Sequence, residues 1–180
     1  MAHEGGLRKI RKEPFITHPV GTARIGSQYD KSDFVQILSL FHDIIDHPVA
    51  RDRLPMADVR EEFGFDVMVG IRSLSKTIKP VSLKEARLGY LLQSREETDP
   101  QIQLVRSADK IHNLESAIEE VQLVKKAFWR HFKGGKTAYL QWPSDVYDAI
   151  HDSGALSGHD ILARYDETMR RFYETVEDVA

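Results

Sequence analysis

The dipeptide His42-Asp43 lies within the most apolar stretch of the chain and carries two side chains that can bind a metal ion or transfer a proton. A carboxylate is rarely buried unless it is paired or bound to a metal ion. A structural His-Asp pair at the edge of the core fits this segment equally well. Two further His-Asp dipeptides, at 151–152 and 159–160, lie among Gly and Ser residues and are expected to form caps or solvated turns. The dipeptide alone therefore does not decide between structure and chemistry.

Two more residues extend the pair to a set of four metal-binding side chains. His18 lies upstream, between Thr17 and Pro19, and Asp109 lies far downstream in the segment 107–113. One His, a His-Asp pair and a distant Asp form a nitrogen and oxygen ligand set that suits Mn²⁺, Zn²⁺ or Fe²⁺. The set is meaningful only if the helices that carry it converge, which spacing along the chain does not establish.

Composition limits the classes of protein to which the chain can belong. Its 180 residues suit a single domain, 41% of them are hydrophobic, and the formal net charge of −3 disfavours a general nucleic-acid binder. The chain has no cysteine, so any metal must be held by His, Asp or Glu. No apolar run approaches membrane-spanning length, and the polar N-terminal segment does not resemble a signal peptide. We expect a cytoplasmic protein without a membrane partner.

Hydrophobic periodicity predicts helices along the whole chain. Apolar residues recur at helical spacing from Phe34 to Ile45, after capping residues at 31–33, and Pro48 is expected to end this helix. Short helices are predicted from about His18 to Gln28 and from Pro55 to near Gly64. Further helical segments are predicted around 67–74 and 83–92.

The C-terminal half also has the pattern of helices. Asp99-Pro100 is expected to begin a long helix that Gly134-Gly135 ends, and Trp142-Pro143 is expected to mark a second break. A last helix is predicted over roughly 158–178. No segment alternates with period two for long enough to indicate a strand, so the fold class is all-α, a helical bundle.

Five motifs, in the same order as in a known family, carry a resemblance to the HD-domain superfamily. Within it, the sequence resembles the hydrolase domain of RelA/SpoT-type proteins and the small alarmone hydrolases. The motifs are Ala2-His3-Glu4-Gly5-Gly6-Leu7-Arg8-Lys9, Pro14-Phe15-Ile16-Thr17-His18-Pro19, Leu40-Phe41-His42-Asp43-Ile44-Ile45-Asp46, Phe63-Gly64 with Val67 and Ser75-Lys76, and Ala108-Asp109-Lys110-Ile111-His112-Asn113-Leu114. They cover residues 2–118. The resemblance implies one HD-type domain over 1–180, with 119–180 forming its C-terminal helices.

The resemblance also implies roles for individual positions. His18, His42, Asp43 and Asp109 match the family's metal ligands, and all four residue types are intact. Three further residues match substrate-binding positions. Arg8 and Lys9 match the basic pair beside the nucleotide, and Asn113 matches a residue near its ribose or phosphate. The family removes the 3′-pyrophosphate of guanosine tetra- or pentaphosphate, usually with Mn²⁺, so a divalent ion is the expected cofactor.

The chain departs from the family next to the metal ligands. The family has Glu-Asp where this chain has Asp46 and His47, and that pair positions or activates the attacking water. Asp46 keeps a carboxylate, at i+4 from His42, and can act as a general base. His47 can serve as a base, a phosphate contact or an extra ligand, or simply favour a helix C-terminus as a cation. Both are expected as catalytic residues.

Three functions follow from this interpretation. The first is a guanosine-3′,5′-bis(diphosphate) 3′-pyrophosphohydrolase, in which the ion polarises a phosphoryl oxygen and lowers the pKa of water. The second is an HD phosphohydrolase for another nucleotide or small phosphorylated metabolite, which His47 motivates. The third is a catalytically silent nucleotide sensor. Lys76 can contact phosphate or lie in a solvated loop, and a homo-oligomer is compatible with the sequence. His112 can support the metal ligands from the Asp109 helix, but a satisfied surface histidine is the preferred interpretation.

Overall fold

Helices account for the regular structure of the part of the chain that the computed structural model describes, residues 6–46, 52–75, 82–132 and 134–179. These helices are α1 (Thr17–Gly26), α2 (Asp33–Phe41), α3 (Met56–Phe63), α4 (Phe65–Leu74), α5 (Leu83–Glu96), α6 (Pro100–Val124), a 3-10 helix (Lys125–His131), α7 (Gly135–Asp152) and α8 (Asp160–Asp178). Within these ranges the backbone forms no sheet, and the predicted all-α fold class is confirmed.

The long helix α6 forms the centre of the bundle. Asp99 caps it by accepting hydrogen bonds from the backbone N–H groups of Gln101 and Ile102, and Pro100 occupies its first turn. Side chains are buried on all sides of its first half, from Ile102 to Asp109. A helix surrounded in this way contacts several neighbours at once, and α1, α2 and α8 all pack against it. Residues carried by α6 therefore meet residues from the N-terminal helices inside the core.

The helix α2 ends earlier than the sequence predicts. The stripe of apolar residues continues to Ile45, but α2 stops at Phe41 and residues 42–46 form turns, with the Ile44 N–H bonded to the Phe41 carbonyl at 3.0 Å. Ile44 is nevertheless fully buried. Adjacent residues of a regular helix point in different directions. The turn changes this geometry at His42 and Asp43, and their side chains approach the same point.

The predicted break at Trp142-Pro143 is wrong, because Pro143 lies inside α7. Proline removes one backbone donor from a helix, yet packing on both sides of this position holds the helix together. Trp142 packs against Tyr90 with ring centroids 5.6 Å apart, and the Tyr165 hydroxyl donates to the Pro143 carbonyl at 3.1 Å. The prediction that the long helix runs to Gly134-Gly135 is also wrong, because α6 ends at Val124, where Lys125 turns the chain with a positive φ of 49°, and a 3-10 helix follows before α7.

The basic N-terminal segment folds back on itself as a short hairpin. Leu7 and Pro14 form an isolated antiparallel bridge, with backbone hydrogen bonds from Arg8 to Glu13 at 2.9 Å and from Phe15 to Gly6 at 2.8 Å. Lys12 turns the chain with a positive φ of 59°. The hairpin leads directly into α1 and so places the basic residues near His18. No helix within the described residues is long and apolar enough to cross a membrane.

Candidate metal centre

Side chains from three parts of the chain converge at one buried point. His18 comes from α1, His42 and Asp43 from the turn after α2, and Asp109 from α6. The Nε2 atom of His18 lies 3.2 Å from Nε2 of His42, 3.1 Å from Oδ1 of Asp109 and 3.5 Å from Oδ2 of Asp43. The Nε2 atom of His42 lies 3.6 Å from Asp109 and 3.4 Å from Asp43. The structure thus brings together all four residues that the sequence proposed as metal ligands.

These separations fit one divalent ion at the centre of the group. Ligand atoms bound about 2.1 Å from an ion stand about 3.0 Å apart in an octahedron and about 3.4 Å apart in a tetrahedron. The distances among His18, His42 and Asp109 lie close to this range, and so do the distances from Asp43 to the two histidines. His18, His42 and Asp109 form the compact part of the group, with ligand atoms all within 4.8 Å of one another, and Asp43 lies beside it. Two imidazole nitrogens with two carboxylates suit Mn²⁺, Fe²⁺ or Zn²⁺. His18, His42 and Asp109 are buried, whereas Asp43 is partly exposed. The group is therefore reached from solvent on the side of Asp43.

Hydrogen bonds hold both histidine rings in the orientation that ligation requires. The Nδ1 atom of His42 donates to the carbonyl oxygen of Ser39 at 2.7 Å, which leaves the Nε2 lone pair directed at the centre. The Nδ1 atom of His18 lies 2.9 Å from Nδ1 of His112 on α6. The expectation that His112 is a surface histidine is thus wrong, because its ring packs between α1 and α6 beside His18.

Asp109 is fixed from two sides by its neighbours on α6. The Nζ atom of Lys110 lies 2.6 Å from Oδ2, and the Asn113 amide donates to Oδ1 at 2.6 Å. Burial alone would raise the pKa of Asp109, but Lys110 and then His18 and His42 outweigh it and hold the pKa well below its usual value. Asp109 is therefore ionised at neutral pH and ready to bind a cation.

Opposite charges also outweigh burial at Asp43 and His42, whereas burial dominates at His112. Burial opposes the charge on Asp43, but His42 and His18 outweigh it and lower the Asp43 pKa well below its usual value. Burial opposes the charge on His42 as well, and Asp43 and Asp109 reverse that effect and raise the His42 pKa. Burial, followed by the charges of His18 and Arg8, lowers the pKa of His112 to about 4. His112 is consequently neutral at physiological pH.

A cavity of about 390 Å³ lies beside the centre and is lined by the proposed substrate-binding residues. Arg8 and Lys9 line it from the hairpin, and Asn113 lines it from α6. Asn113 also contacts Asp109, so it joins the cavity to the ligand group. The three residues that the sequence proposed for substrate binding therefore share one cavity, adjacent to the four proposed ligands.

The other basic and catalytic candidates do not line this cavity in the described part of the chain. Arg11, the next arginine of the hairpin after Arg8, pairs with Glu13 at 2.8 Å and with Glu119. Asp46 lies exposed at the end of the turn that carries His42 and Asp43. The positions of His47 and Lys76 lie outside the described residues.

The structure also shows cavity residues that the sequence analysis did not assign. Glu120, Phe132 and Tyr139 line the same cavity, and the rings of Phe132 and Tyr139 lie 4.3 Å apart. Phe132 also packs against the rings of Phe128 and Tyr139, so it both packs the C-terminal helices and lines the cavity. Asn113 and Glu120 follow Asp109 at positions i+4 and i+11, which share one face of a helix with it. That periodicity was a signal in the sequence that could have identified Glu120.

The two other His-Asp dipeptides behave as expected. His159 caps α8 by accepting a hydrogen bond from the Ile161 N–H at 3.2 Å. His151 and Asp152 lie exposed at the end of α7, where Asp152 pairs with Arg95 at 3.0 Å. Neither dipeptide is part of the ligand group.

Comparison with known proteins identifies relatives in both sequence and structure. No family model matches the chain. A stretch of 121 residues, 63% of the chain, is 32% identical to a guanosine-3′,5′-bis(diphosphate) 3′-pyrophosphohydrolase from Haemophilus influenzae and covers 16% of that protein. The chain thus spans about a sixth of the length of this curated relative.

Two solved structures resemble the whole fold. One is a metazoan ortholog of SpoT, described as hydrolysing ppGpp, which matches 94% of this chain and 88% of its own with a TM-score of 0.75 and 20% identity. The chain has the SpoT-type fold. A crystal structure of lmo0812 from Listeria monocytogenes EGD-e matches 89% of this chain and 99% of its own, with a TM-score of 0.73 and 23% identity. The resemblance inferred from the five motifs is confirmed, and the ligand group described above lies within this SpoT-type fold.

Proposed function

We propose that this protein is a metal-dependent phosphohydrolase that removes the 3′-pyrophosphate from guanosine-3′,5′-bis(diphosphate). The observation that carries the proposal is the convergence of His18, His42, Asp43 and Asp109 beside a cavity lined by Arg8. A buried group of nitrogen and oxygen ligands next to a basic cavity suits hydrolysis of a phosphorylated substrate. The activity named for the Haemophilus influenzae relative supports the choice of substrate.

In this mechanism the four ligands hold the ion and the cavity holds the substrate. A divalent ion, with Mn²⁺ as our choice, supplies a Lewis acid for a phosphoryl oxygen and lowers the pKa of the attacking water. Arg8 binds phosphate oxygens through its planar guanidinium group, and Lys9 contributes a point charge. Asn113 orients the substrate while its amide keeps Asp109 in place.

The attacking water requires a group that orients it and accepts its proton. Asp46 follows the ligands on the same turn and is exposed. We assign the role of general base to Asp46, with assistance from His47. A carboxylate at this position can accept a proton from the attacking water.

The proposal is tested by incubating purified protein with Mn²⁺ and guanosine tetraphosphate and measuring released pyrophosphate. We expect release that stops in Asp43→Ala and continues in Asp152→Ala, the matched change in an exposed His-Asp dipeptide. Metal analysis of the native protein provides an independent result. Absence of pyrophosphate release by the Mn²⁺-loaded protein would refute this substrate, and absence of bound or bindable divalent ion would refute hydrolysis of any substrate at this centre.

Hydrolysis of another small phosphorylated substrate is the second candidate, and the replacement of the family's carboxylate by His47 favours it. A panel of nucleotides and phosphorylated metabolites separates the two, because the second candidate requires faster turnover of a compound other than guanosine tetraphosphate. A silent sensor would bind nucleotide without turnover. A cytoplasmic location and a homo-oligomer stay predictions, which cell fractionation and light scattering test.

A further inference from the structure

Glu120 brings a buried carboxylate to the wall of the basic cavity. The residue is 6% exposed and lines the cavity together with Arg8 and Lys9. Burial raises the pKa of Glu120, and the nearby charges of Arg8 and Arg11 oppose that effect. Burying a carboxylate is costly unless donors meet it, so the Glu120 carboxylate is expected to accept hydrogen bonds from a ligand that fills the cavity.

The ligand group that meets Glu120 cannot be a phosphate. Two anionic groups in one cavity repel each other, and the reacting phosphate is attracted to the metal centre instead. Glu120 lies three helical turns beyond Asp109 on α6, about 16 Å along the helix axis. A nucleotide with its phosphates at the centre therefore extends its neutral nucleoside end towards Glu120.

The rest of this end of the cavity suits a purine base. Phe132 and Tyr139 provide neighbouring aromatic surfaces, on which a base can stack. A carboxylate accepts hydrogen bonds through both oxygens but donates none when ionised. A base with two adjacent donors therefore matches Glu120 better than a base that presents a donor beside an acceptor.

We propose that Glu120 determines base specificity by accepting hydrogen bonds from the N1–H and N2–H groups of guanine. Adenine presents its N6 amine beside the N1 lone pair, and that lone pair would face the carboxylate and repel it. This inference rests on the proposed function for the identity of the nucleotide. It adds a specificity-determining residue that is separate from the metal ligands and from Arg8 and Lys9.

The test measures binding of guanosine and adenosine 5′-diphosphates to the Mn²⁺-loaded protein by calorimetry. Neither compound has a 3′-pyrophosphate, so binding is measured without turnover. We expect the wild type to prefer the guanosine compound by about tenfold or more. Glu120→Gln should remove or reverse this preference, because an amide can accept from the adenine amine and donate to its N1.

Two further variants make the result specific. Glu120→Asp keeps the carboxylate and should keep a reduced preference for guanine. Glu119→Gln changes the neighbouring carboxylate, which pairs with Arg11 and lies outside this cavity, and should match the wild type. Equal weakening of both nucleotides in Glu120→Gln, an unchanged preference in that variant, or no preference in the wild type would overturn the inference. A guanine preference without pyrophosphate release would support the base assignment while refuting the hydrolase.

Discussion

The rings of His18 and His112 meet through their Nδ1 atoms, which lie 2.9 Å apart between α1 and α6. A neutral histidine that binds a cation through Nε2 carries its proton on Nδ1. His18 must then donate this hydrogen bond, and His112 must accept it as a neutral ring. The low pKa of His112, about 4 because of burial and then of His18 and Arg8, keeps it in that neutral form. The contact thereby fixes the tautomer in which His18 can bind metal.

His112→Ala is therefore expected to weaken Mn²⁺ binding by about 10–100-fold, the usual cost of losing a hydrogen bond to a metal-bound histidine. Calorimetric titration of the metal-free protein measures the change. His151→Ala, which removes an exposed histidine, serves as the control and should bind Mn²⁺ like the wild type. An unchanged dissociation constant in His112→Ala would show that the ring does not orient His18.

Gly21 gives His112 the space that it occupies. A Cβ atom on Gly21 would lie 2.0 Å from Nε2 of His112, so Gly21→Ala must displace the ring. We expect a loss of about 1–3 kcal/mol in the free energy of unfolding, together with weaker Mn²⁺ binding. Thermal unfolding with and without Mn²⁺ measures both effects.

Gly89→Ala provides the matched control for that change. Gly89 also lies within a helix, but its added Cβ would meet no atom within 4 Å. The substitution should raise the free energy of unfolding by about 0.5–1 kcal/mol, because alanine loses less conformational entropy in a helix than glycine does. Destabilisation of equal size in both variants would contradict the steric explanation for Gly21.

The fold class and the four candidate ligands could be predicted from the sequence because both depend on local or motif-level signals. Helical periodicity and caps such as Asp99 determine where most helices begin. The motifs around His18, His42 and Asp109 identified residues whose convergence could not be inferred from spacing alone. The structure shows that these residues converge, because α6 passes through the centre of the bundle and packs against α1 and α2.

The remaining features depend on tertiary contacts that leave weak signals in the sequence. Pro143 looks like a helix break, but packing of Trp142 and the hydrogen bond from Tyr165 hold the helix through it. His112 looks like a surface residue because nothing in its segment shows that Gly21 leaves room for the ring. A contact between two distant helices determines each of these outcomes, and local propensity does not record such contacts.

Arg8→Ala is expected to raise the KM for guanosine tetraphosphate by about tenfold or more, because it removes a charge-assisted contact to phosphate. Steady-state kinetics with Mn²⁺ measures the change. Arg11→Ala is the matched control on the same hairpin, since its guanidinium pairs with Glu13 and Glu119. That variant should leave KM unchanged and alter stability by less than about 1 kcal/mol. A similar rise in KM for both variants would mean that general positive charge, not the cavity, attracts the substrate.

Asp46 is expected to act in the chemical step and not in metal binding. Asp46→Ala should lower kcat by about 10²–10⁴-fold, the usual contribution of a general base, while the Mn²⁺ dissociation constant stays near that of the wild type. Pyrophosphate release and calorimetry on the same preparation measure the two quantities. Loss of metal binding in Asp46→Ala would instead make Asp46 a ligand.

The double change Asp46→Glu with His47→Asp restores the two carboxylates of the family. It also tests whether guanosine tetraphosphate is the substrate. If guanosine tetraphosphate is the substrate, a longer carboxylate and a second acceptor should raise its hydrolysis, because both can orient the attacking water. Asp46→Glu alone separates the effect of side-chain length from that of the second carboxylate. If the double variant hydrolyses guanosine tetraphosphate more slowly and another phosphorylated compound is the better substrate of the wild type, His47 has adapted the centre to that compound. A broad substrate panel, run on the wild type and on both variants, distinguishes these results.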